Sequence, residues 1–305
     1  MSKKIILIAG PTASGKSKLA VEIAKKIKGE IINADSMQVY KEFSVLSSRP
    51  TKIDLKKVKH HLYGFQSVKE NFSTGTWLKL VKKQIDQCLK NKKIPIIVGG
   101  TGLYFEAIIK GMSKIPNIDF IERDKIRVLQ KKLGQNNFYT KLLKLDPLVK
   151  NKIASSDTQR SIRAYEVKKF TKKSIFEWNK LTNSEFKQFQ IFKIFIDTPR
   201  EKLLKNISNR VEQMFKNDCV KEVKLFLALS IDTSLSANKI IGVKEVRDYL
   251  SGVLNLQQTK ELINIKTRQY AKRQVTWARG HMSDWNKQYS NTFSYLFKKI
   301  LKVVS

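Results

Sequence analysis

The feature of this chain that most constrains its fold is a glycine-rich loop between an apolar run and a helical repeat. Residues 4–9 are predominantly apolar, as in a central strand of a parallel sheet, and apolar residues recur at helical spacing from Leu19 to Ile27. The intervening loop fits the pattern G-x-x-x-x-G-K-[ST] in the strand-to-helix context that this motif requires. Its residues are Gly10, Pro11, Thr12, Ala13, Ser14, Gly15, Lys16 and Ser17.

Such a loop predicts a phosphate site, here called the P-loop. Its backbone N–H groups can point at phosphate oxygens, and the following helix N-terminus adds partial positive charge. Lys16 adds a full positive charge, and Ser17 is expected to place its hydroxyl on Mg²⁺. The alternative is a glycine-rich turn without a ligand, which the motif and its context together disfavour.

Further strand and helix signals alternate along the chain. Strands are predicted at 30–34, 94–98 and 191–196, with a helix at 77–89, and Thr198 is predicted to cap the helix after the last strand. The alternation predicts an α/β fold with a P-loop NTPase-like parallel sheet flanked by helices. Residues 115–190 lack strand signals and are predicted to form an inserted helical subdomain in a catalytic core of 1–114 and 191–305.

Charge bears on the partner of this chain. The 60 Lys and Arg residues against 26 Asp and Glu give a formal charge of +34, which favours a polyanion such as nucleic acid. Because Lys is spread along the whole chain, solvated lysine-rich faces are the alternative. No apolar run reaches the roughly 20 residues of a membrane span. Two distant cysteines, Cys88 and Cys219, provide no disulfide framework and are expected to be ordinary helix residues in a reducing cytoplasm.

Asp35 is the candidate catalytic base, because it follows a predicted strand at the edge where open α/β sheets bind ligands. A helix N-cap or a Mg²⁺ ligand is the alternative role for this carboxylate. The strand at 94–98 continues into Gly99, Gly100 and Thr101 rather than an acidic pair, which disfavours an ATP-driven motor.

Beyond the P-loop, several segments follow in a recognisable order. They are DSMQVYK at 35–41, HHL at 60–62, GGTGLY at 99–104, DTQRSIRA at 157–164, IGVKE at 241–245 and TRQYAKRQ at 267–274. Together with the loop at 10–17, they resemble the family of tRNA dimethylallyltransferases, also called tRNA isopentenyltransferases. One departure is that Val45-Leu46-Ser47-Ser48-Arg49-Pro50 stands where the family carries Ile-Gly-Thr-Ala-Lys-Pro. Leu46 in place of Gly is predicted to alter the loop backbone, because Leu does not readily take a positive φ.

The resemblance implies transfer of a dimethylallyl group from dimethylallyl diphosphate to N6 of adenine 37, beside the anticodon of tRNA, with release of diphosphate. The implied cofactor is Mg²⁺, the implied partners are the tRNA anticodon stem-loop and dimethylallyl diphosphate, and we expect a cytoplasmic monomer without membrane attachment. Asp35 would be the base, Thr101 the hydroxyl beside the reacting amine, and Arg210 a diphosphate contact. The residues implied to contact tRNA are Asp35, Ser36, Met37, Gln38, Thr101, Arg123, Gln159, Arg160, Ser161, Ile162 and Arg163.

Several alternatives stay open at this point. On residues alone, a solvated helix face remains an alternative for Arg210 and Arg123, and a helix cap for Thr101. His60 and His61 are predicted to serve packing or hydrogen bonding. A nucleoside or nucleotide kinase would share the P-loop, the sheet and a helical insertion. A nucleic-acid-binding module with a vestigial phosphate site is the third class.

Overall fold

The computed structural model describes residues 3–289 and 292–304, and within them six strands form one parallel sheet. The strands are β1 (Lys4–Ala9), β2 (Gly29–Asn33), β3 (His60–His61), β4 (Ile94–Gly99), β5 (Gln190–Asp197) and β6 (Asn286–Tyr289). Their order across the sheet is β3-β2-β4-β1-β5-β6, so β1 lies inside the sheet between β4 and β5. This arrangement confirms the predicted fold class.

Helices connect and flank the strands. They are α1 (Lys16–Ile27), α2 (Lys52–Lys57), α3 (Thr74–Lys90), α4 (Gly102–Lys110), α5 (Phe120–Leu145), α6 (Thr158–Thr171), α7 (Ile175–Lys180), α8 (Arg200–Lys216), α9 (Cys219–Leu227), α10 (Val243–Leu250), α11 (Leu256–His281) and α12 (Phe293–Val304). Gly134 has a φ of 71° and interrupts α5 with a kink. In the part of the chain that the structure describes, no helix combines the length and apolarity needed to cross a bilayer.

The sheet is covered on both faces, which explains why its strands read as apolar runs. Residues 5–8 of β1 are completely buried. Leu19 and Ile23 of α1 and Ile300 of α12 belong to the same buried cluster as Ile6 and Ile8. The sequence did not predict β3 and β6, which are two and four residues long and contain mainly polar side chains.

The chain divides into two compact units, 1–108 with 186–305 and 109–185. The first unit contains the sheet and the P-loop. The second unit is helical and has its own buried cluster, which includes Phe138, Leu142 and Ala164. It begins and ends a few residues before the predicted range of 115–190.

Thr198 does not cap a helix, so that prediction was wrong. Pro199 is the N-cap residue of α8 and provides no side-chain cap. Thr198 is buried instead, and its Oγ1 donates to the carbonyl of Ser14 in the P-loop over 3.3 Å. The hydroxyl at the end of β5 therefore supports the phosphate loop.

Candidate active site

The P-loop joins β1 to α1 and curls back on itself. Ala13 and Gly15 have positive φ values of 62° and 83°. Lys16 is buried, and its Nζ donates to the carbonyl of Pro11 over 3.1 Å. The lysine ammonium therefore lies inside the curl of the loop, where this motif holds phosphate oxygens.

A side chain from α8 also holds the loop. Asn206 Nδ2 donates to the carbonyl of Ala13 over 2.9 Å, close to the contact between Thr198 and Ser14. These bonds occupy carbonyl groups on the outside of the curl. They help to fix a backbone shape that includes a non-glycine residue with positive φ.

Gln274 on α11 links the P-loop to the loop after β4. Its Oε1 accepts from Thr12 N over 2.8 Å, and its Nε2 donates to the Gly100 carbonyl over 2.9 Å. No role was predicted for Gln274, although this residue ends one of the segments that carry the family resemblance. The only signal available in the sequence was that segment, because the partners are 262 and 174 positions away.

Asp35 is held in a turn at the carboxyl end of β2. The amide of Asn33, which is completely buried, accepts from Asp35 N over 2.8 Å and donates to the Leu62 carbonyl over 3.0 Å. Asp35 Oδ1 accepts from Met37 N over 2.9 Å. Its Oδ2 makes no hydrogen bond within residues 3–289 and 292–304, and no helix begins at Asp35, which excludes the N-cap role.

Thr101 is fixed beside the Asp35 turn by the close approach of two strand ends. A Cβ at Gly99 would lie 2.0 Å from the Ala34 carbonyl oxygen, so only glycine fits there. Thr101 N donates to the same carbonyl over 3.1 Å, and Thr101 Oγ1 accepts from Ser36 N over 2.9 Å. The hydroxyl therefore joins the loop after β4 to the loop after β2.

Arg210 of α8 points into the site rather than lying on a solvated face. Its Nη1 donates to Thr12 Oγ1 over 2.7 Å, and its Nη2 donates to the Ser47 carbonyl over 3.3 Å. The Nε atom is buried and has no partner among the described residues. Burial lowers the pKa of the guanidinium, and the Asp35 carboxylate counteracts this effect. A buried guanidinium with an unused N–H is suited to a phosphate oxygen.

Lys16, Asp35 and Arg210 line one cavity of about 190 Å³. Burial lowers the pKa of Lys16 to about 8, while Asp35 raises it and Arg210 lowers it further. The predicted site residues that line the cavity are Thr12, Ala13, Gly15, Lys16, Ser17, Asp35, Gln38 and Arg210.

The cavity also contains oxygen atoms suited to a hard cation. Ser17 is exposed in the first turn of α1 and lines the cavity with Asp35. Hydroxyl and carboxylate oxygens are the ligands that Mg²⁺ prefers, so the donor set fits this ion.

Leu46 departs from the family pattern without straining the loop. It is not among the residues with positive φ, whereas Ser48, two positions later, has a φ of 50°. The Leu46 side chain is buried. In this loop the leucine therefore keeps a negative φ, and Ser48 takes the left-handed conformation. A difference from the backbone of the family's loop stays a prediction.

The predicted tRNA contacts at 123 and 159–163 belong to the helical unit. Arg123 Nε lies 3.4 Å from Glu166 Oε2, and Arg163 Nη1 donates to the same oxygen over 3.1 Å. Since Glu166 is almost completely buried, one carboxylate orders both arginines. Arg160 is 72% exposed and lies 3.5 Å from Asp157.

The side chains at 159–163 differ in exposure. Gln159 and Arg160 are exposed, whereas Ser161 is completely buried and its Oγ accepts from Gln135 Nε2 over 3.3 Å. Ile162 is partly buried against the core of the helical unit. Within this segment, the polar groups available to a polyanion are therefore those of Gln159, Arg160 and, in part, Arg163.

A buried polar cluster lies outside the lining of this cavity. His61 Nε2 is 2.6 Å from Glu30 Oε2, and Cys88 Sγ donates to the same oxygen over 3.5 Å. Burial and the Glu30 carboxylate raise the pKa of Cys88 to about 12, so this thiol is protonated. The predicted hydrogen-bonding role of His61 is confirmed, and both Cys88 and Cys219 are free thiols.

The chain matches known proteins over most of its length. A family model described as IPP transferase matches residues 38–281. The tRNA dimethylallyltransferase of Pelagibacter ubique strain HTCC1062 is 56% identical over 284 residues, which cover 93% of this chain and 91% of that protein. The tRNA dimethylallyltransferase of Rickettsia felis is 41% identical over 304 residues, which cover 99% and 98%.

Solved structures agree with this relationship. The tRNA isopentenylpyrophosphate transferase of Bacillus halodurans has a TM-score of 0.71 and 30% identity, and the match covers 99% of this chain and 95% of that one. A eukaryotic dimethylallyltransferase acting on tRNA has a TM-score of 0.79 and 26% identity, with 96% and 75% covered. The chain therefore belongs to the tRNA dimethylallyltransferase family.

Proposed function

We propose that this chain transfers the dimethylallyl group of dimethylallyl diphosphate to N6 of adenine 37 in tRNA and releases diphosphate. Membership of the family makes the chain an enzyme that transfers a dimethylallyl group to tRNA. The observation that carries the finer proposal is the single cavity shared by Lys16, Asp35 and Arg210. Two cations and the P-loop suit a diphosphate, and the carboxylate suits an amine that must lose a proton.

The cationic part of the cavity is assigned to the leaving group. As the allylic C–O bond breaks, its electron pair goes to the bridging oxygen and negative charge grows on diphosphate. Lys16 and Arg210 both reach the P-loop, at Pro11 and Thr12 respectively. Fixed positive groups aimed at growing negative charge lower the barrier.

We propose Mg²⁺ as the divalent metal that this family needs. Ser17 would hold it at the start of α1, where the hydroxyl lines the cavity. When bound, the ion would neutralise part of the diphosphate charge.

Asp35 is assigned as the base. The adenine N6 lone pair forms the new bond to the allylic carbon, and the proton of that nitrogen passes to the carboxylate. Asp35 Oδ1 is occupied by Met37 N, which leaves Oδ2 for the amine. Thr101 and Ser36, joined to each other at the adjacent strand end, would border the adenine.

The tRNA contacts are assigned to two groups of residues. Ser36, Met37 and Gln38 follow the base and would border the extruded adenine, whose unstacking costs less in a loop than in a duplex. In the helical unit, exposed Arg160 is the leading candidate for a phosphate contact. Further candidates there are Arg123, Gln159 and Arg163, with Ser161 and Ile162 contributing through the helix core.

We propose a monomer as the active form. A cytoplasmic location is proposed because tRNA is used there.

The test is product analysis. The protein would be incubated with Mg²⁺, unmodified tRNA and either dimethylallyl diphosphate or ATP, and the nucleosides would be analysed by mass. We expect adenosine to gain one dimethylallyl group in the first reaction only, and sequencing of the modified fragment to place it at position 37. Release of ADP in the second reaction would favour a kinase, and binding of tRNA without any product would favour a non-enzymatic binding module.

A further inference from the structure

A carboxylate outside the proposed chemistry binds a single loop through four hydrogen bonds. Glu222 lies on α9, and its Oε1 accepts from Ser44 N over 2.5 Å, Ser44 Oγ over 3.1 Å and Val45 N over 2.8 Å. Its Oε2 accepts from Leu46 N over 2.9 Å. Hydrogen bonds to an ionised acceptor are stronger than neutral ones, so Glu222 fixes three consecutive residues of this loop to α9.

The loop that Glu222 holds leads directly into the cavity. The Ser47 carbonyl accepts from Gln38 Nε2 over 2.9 Å and from Arg210 Nη2 over 3.3 Å. The Ser48 carbonyl accepts from Gln38 Nε2 over 3.0 Å. Gln38, Ser48 and Arg210 all line the cavity. Two backbone carbonyls of the loop therefore orient two side chains of the proposed site.

An apolar contact holds the same loop from another direction. The buried Leu46 side chain packs against Gly242, where an added Cβ would lie 2.6 Å from a Leu46 methyl group. Gly242 also has a φ of 105°, and its N–H donates to Glu245 Oε2 over 2.8 Å. The leucine that departs from the family pattern is thus accommodated by a glycine whose positive φ disfavours other residues, and a side chain at position 242 would displace the Leu46 side chain.

We infer that Glu222 is a positioning residue that holds loop 44–48 so that Arg210 presents its guanidinium to the diphosphate. This inference rests on the proposed role of Arg210. Glu222 itself does not line the cavity. It acts by fixing the carbonyl groups that orient Arg210 and Gln38, as supporting residues do in a preorganised site.

The first test compares Glu222→Ala and Glu222→Gln with a matched control, Glu212→Gln. Glu212 lies on the neighbouring helix α8, is 49% exposed and pairs with Lys260. In single-turnover assays with both substrates saturating, we expect Glu222→Ala to slow transfer by about 10²-fold, the scale of a misplaced reacting group. Glu222→Gln keeps the side-chain shape and one acceptor oxygen, so its transfer rate should lie between the rates of Glu222→Ala and the parent. The control rate and the tRNA affinity of all three variants should change by less than about twofold.

The second test asks whether Glu222 acts through Arg210. In an Arg210→Ala background, Glu222→Ala should slow transfer by much less than the roughly 10²-fold expected in the parent, because residues that act through one another are non-additive. Equal losses in both backgrounds would overturn the inference and leave Glu222 a general structural residue. If Arg210→Ala alone kept the full rate, the proposed diphosphate role of Arg210 would be wrong, and the inference would fall with it.

Hydrogen exchange provides a readout that does not depend on activity. We expect the amides of Ser44, Val45 and Leu46 to exchange faster in Glu222→Ala than in the parent, because the alanine removes both acceptor oxygens. In Glu222→Gln one acceptor oxygen remains, so only part of these amides should exchange faster. The amides of β1 serve as an internal control for folding. Unchanged exchange at 44–46 in both variants would show that the loop does not depend on Glu222.

Discussion

The charge of Lys16 depends on pH in the range where the enzyme would work. Burial lowers its pKa from 10.5 to about 8, while the Asp35 carboxylate raises this pKa and the Arg210 guanidinium lowers it further. A bound diphosphate favours the ammonium and raises this pKa again. Diphosphate binding near pH 8 should therefore be accompanied by proton uptake. The affinity for diphosphate should be highest well below pH 8, where Lys16 is protonated, and should fall as pH rises above 8.

The first prediction follows from this coupling. The Kd of an unreactive alkyl diphosphate should rise by up to about tenfold per pH unit above pH 8, as expected for one group that must be protonated. The ligand itself does not titrate above pH 8, because the last ionisation of a phosphate ester occurs near pH 6. Calorimetry at pH 8 in two buffers of different ionisation enthalpy would measure the proton uptake.

Lys16→Met is the matched control for that titration. It removes the titrating ammonium and should give weaker binding that no longer changes above pH 8. Because the contact strengthens as diphosphate leaves, the same variant should slow transfer by about 10²-fold or more. A parent-like pH dependence in Lys16→Met would assign the titration to another group.

Asp35 supports a second prediction at the residue scale. Asp35→Asn keeps the oxygen that accepts from Met37 N and removes the proton acceptor, so we expect transfer to slow by about 10² to 10⁴-fold while tRNA affinity stays near the parent value. Asp86→Asn on α3 is the control, because Asp86 is exposed and lies outside the cavity lining. Parent-like turnover combined with a lost dependence on Mg²⁺ would instead make Asp35 a metal ligand.

At the scale of elements, the end of α1 combines an exposed lysine with a left-handed backbone. Lys28 has a φ of 54° and a ψ of 42°, and its N–H donates to the Ala24 carbonyl. A side chain in this conformation costs roughly 1–2 kcal/mol, which glycine avoids at the expense of chain entropy. We predict that Lys28→Gly raises the free energy of unfolding by about 0.5–1 kcal/mol, measured by urea titration.

Lys26→Gly is the control for that substitution. It removes the same charge from the last turn of α1, but it places glycine at a helical position. There it should lower the free energy of unfolding by about 1 kcal/mol. The prediction fails if the two variants shift stability in the same direction.

The strands that could be predicted from the sequence are those whose own residues carry the pattern of a buried strand. β1, β2, β4 and β5 are found near their predicted positions, because strands buried on both faces consist of apolar runs. β3 and β6 exist only through pairing with β2 and β5, so short polar segments gave no local signal. The predicted N-cap at Thr198 was wrong because Pro199, not Thr198, occupies the N-cap position of α8.

The candidate site follows the same division. Lys16 and Asp35 could be predicted from a motif and from their position at a strand end, and both line the cavity. Arg210 was reached only through family resemblance, since its partner Thr12 is 198 positions away. Glu222 had no signal in the sequence, and Gln274 had only the family segment that it ends, because their roles consist of contacts with loops 178 and 262 positions away.

At the scale of the whole molecule, the net charge of +34 gives tRNA a strong, salt-dependent attraction that does not require any one residue. Screening over about 8 Å at physiological ionic strength weakens distant charges, so specific phosphate contacts should stand out in the salt dependence of binding. Arg160 and Arg163 of α6 are suited to this test. Arg160 is 72% exposed, and Arg163 is 39% exposed with its guanidinium ordered by Glu166.

We predict that Arg160→Ala combined with Arg163→Ala weakens tRNA binding and makes the log–log salt slope shallower by roughly 1.4, if each arginine neutralises one single-stranded phosphate. Binding of the alkyl diphosphate should not change, because its proposed site contains neither residue. Lys168→Ala combined with Lys169→Ala removes the same charge from the other end of α6 and should leave the slope near the parent value. Filter binding of tRNA at several salt concentrations would measure the slopes, and calorimetry on the same preparations would measure diphosphate binding.

Equal changes in both double variants would mean that the general field of the protein, rather than a local contact, holds tRNA at this helix. A parent-like affinity and slope in the arginine variant would instead point to the basic residues of α11, among them Arg268 and Lys272.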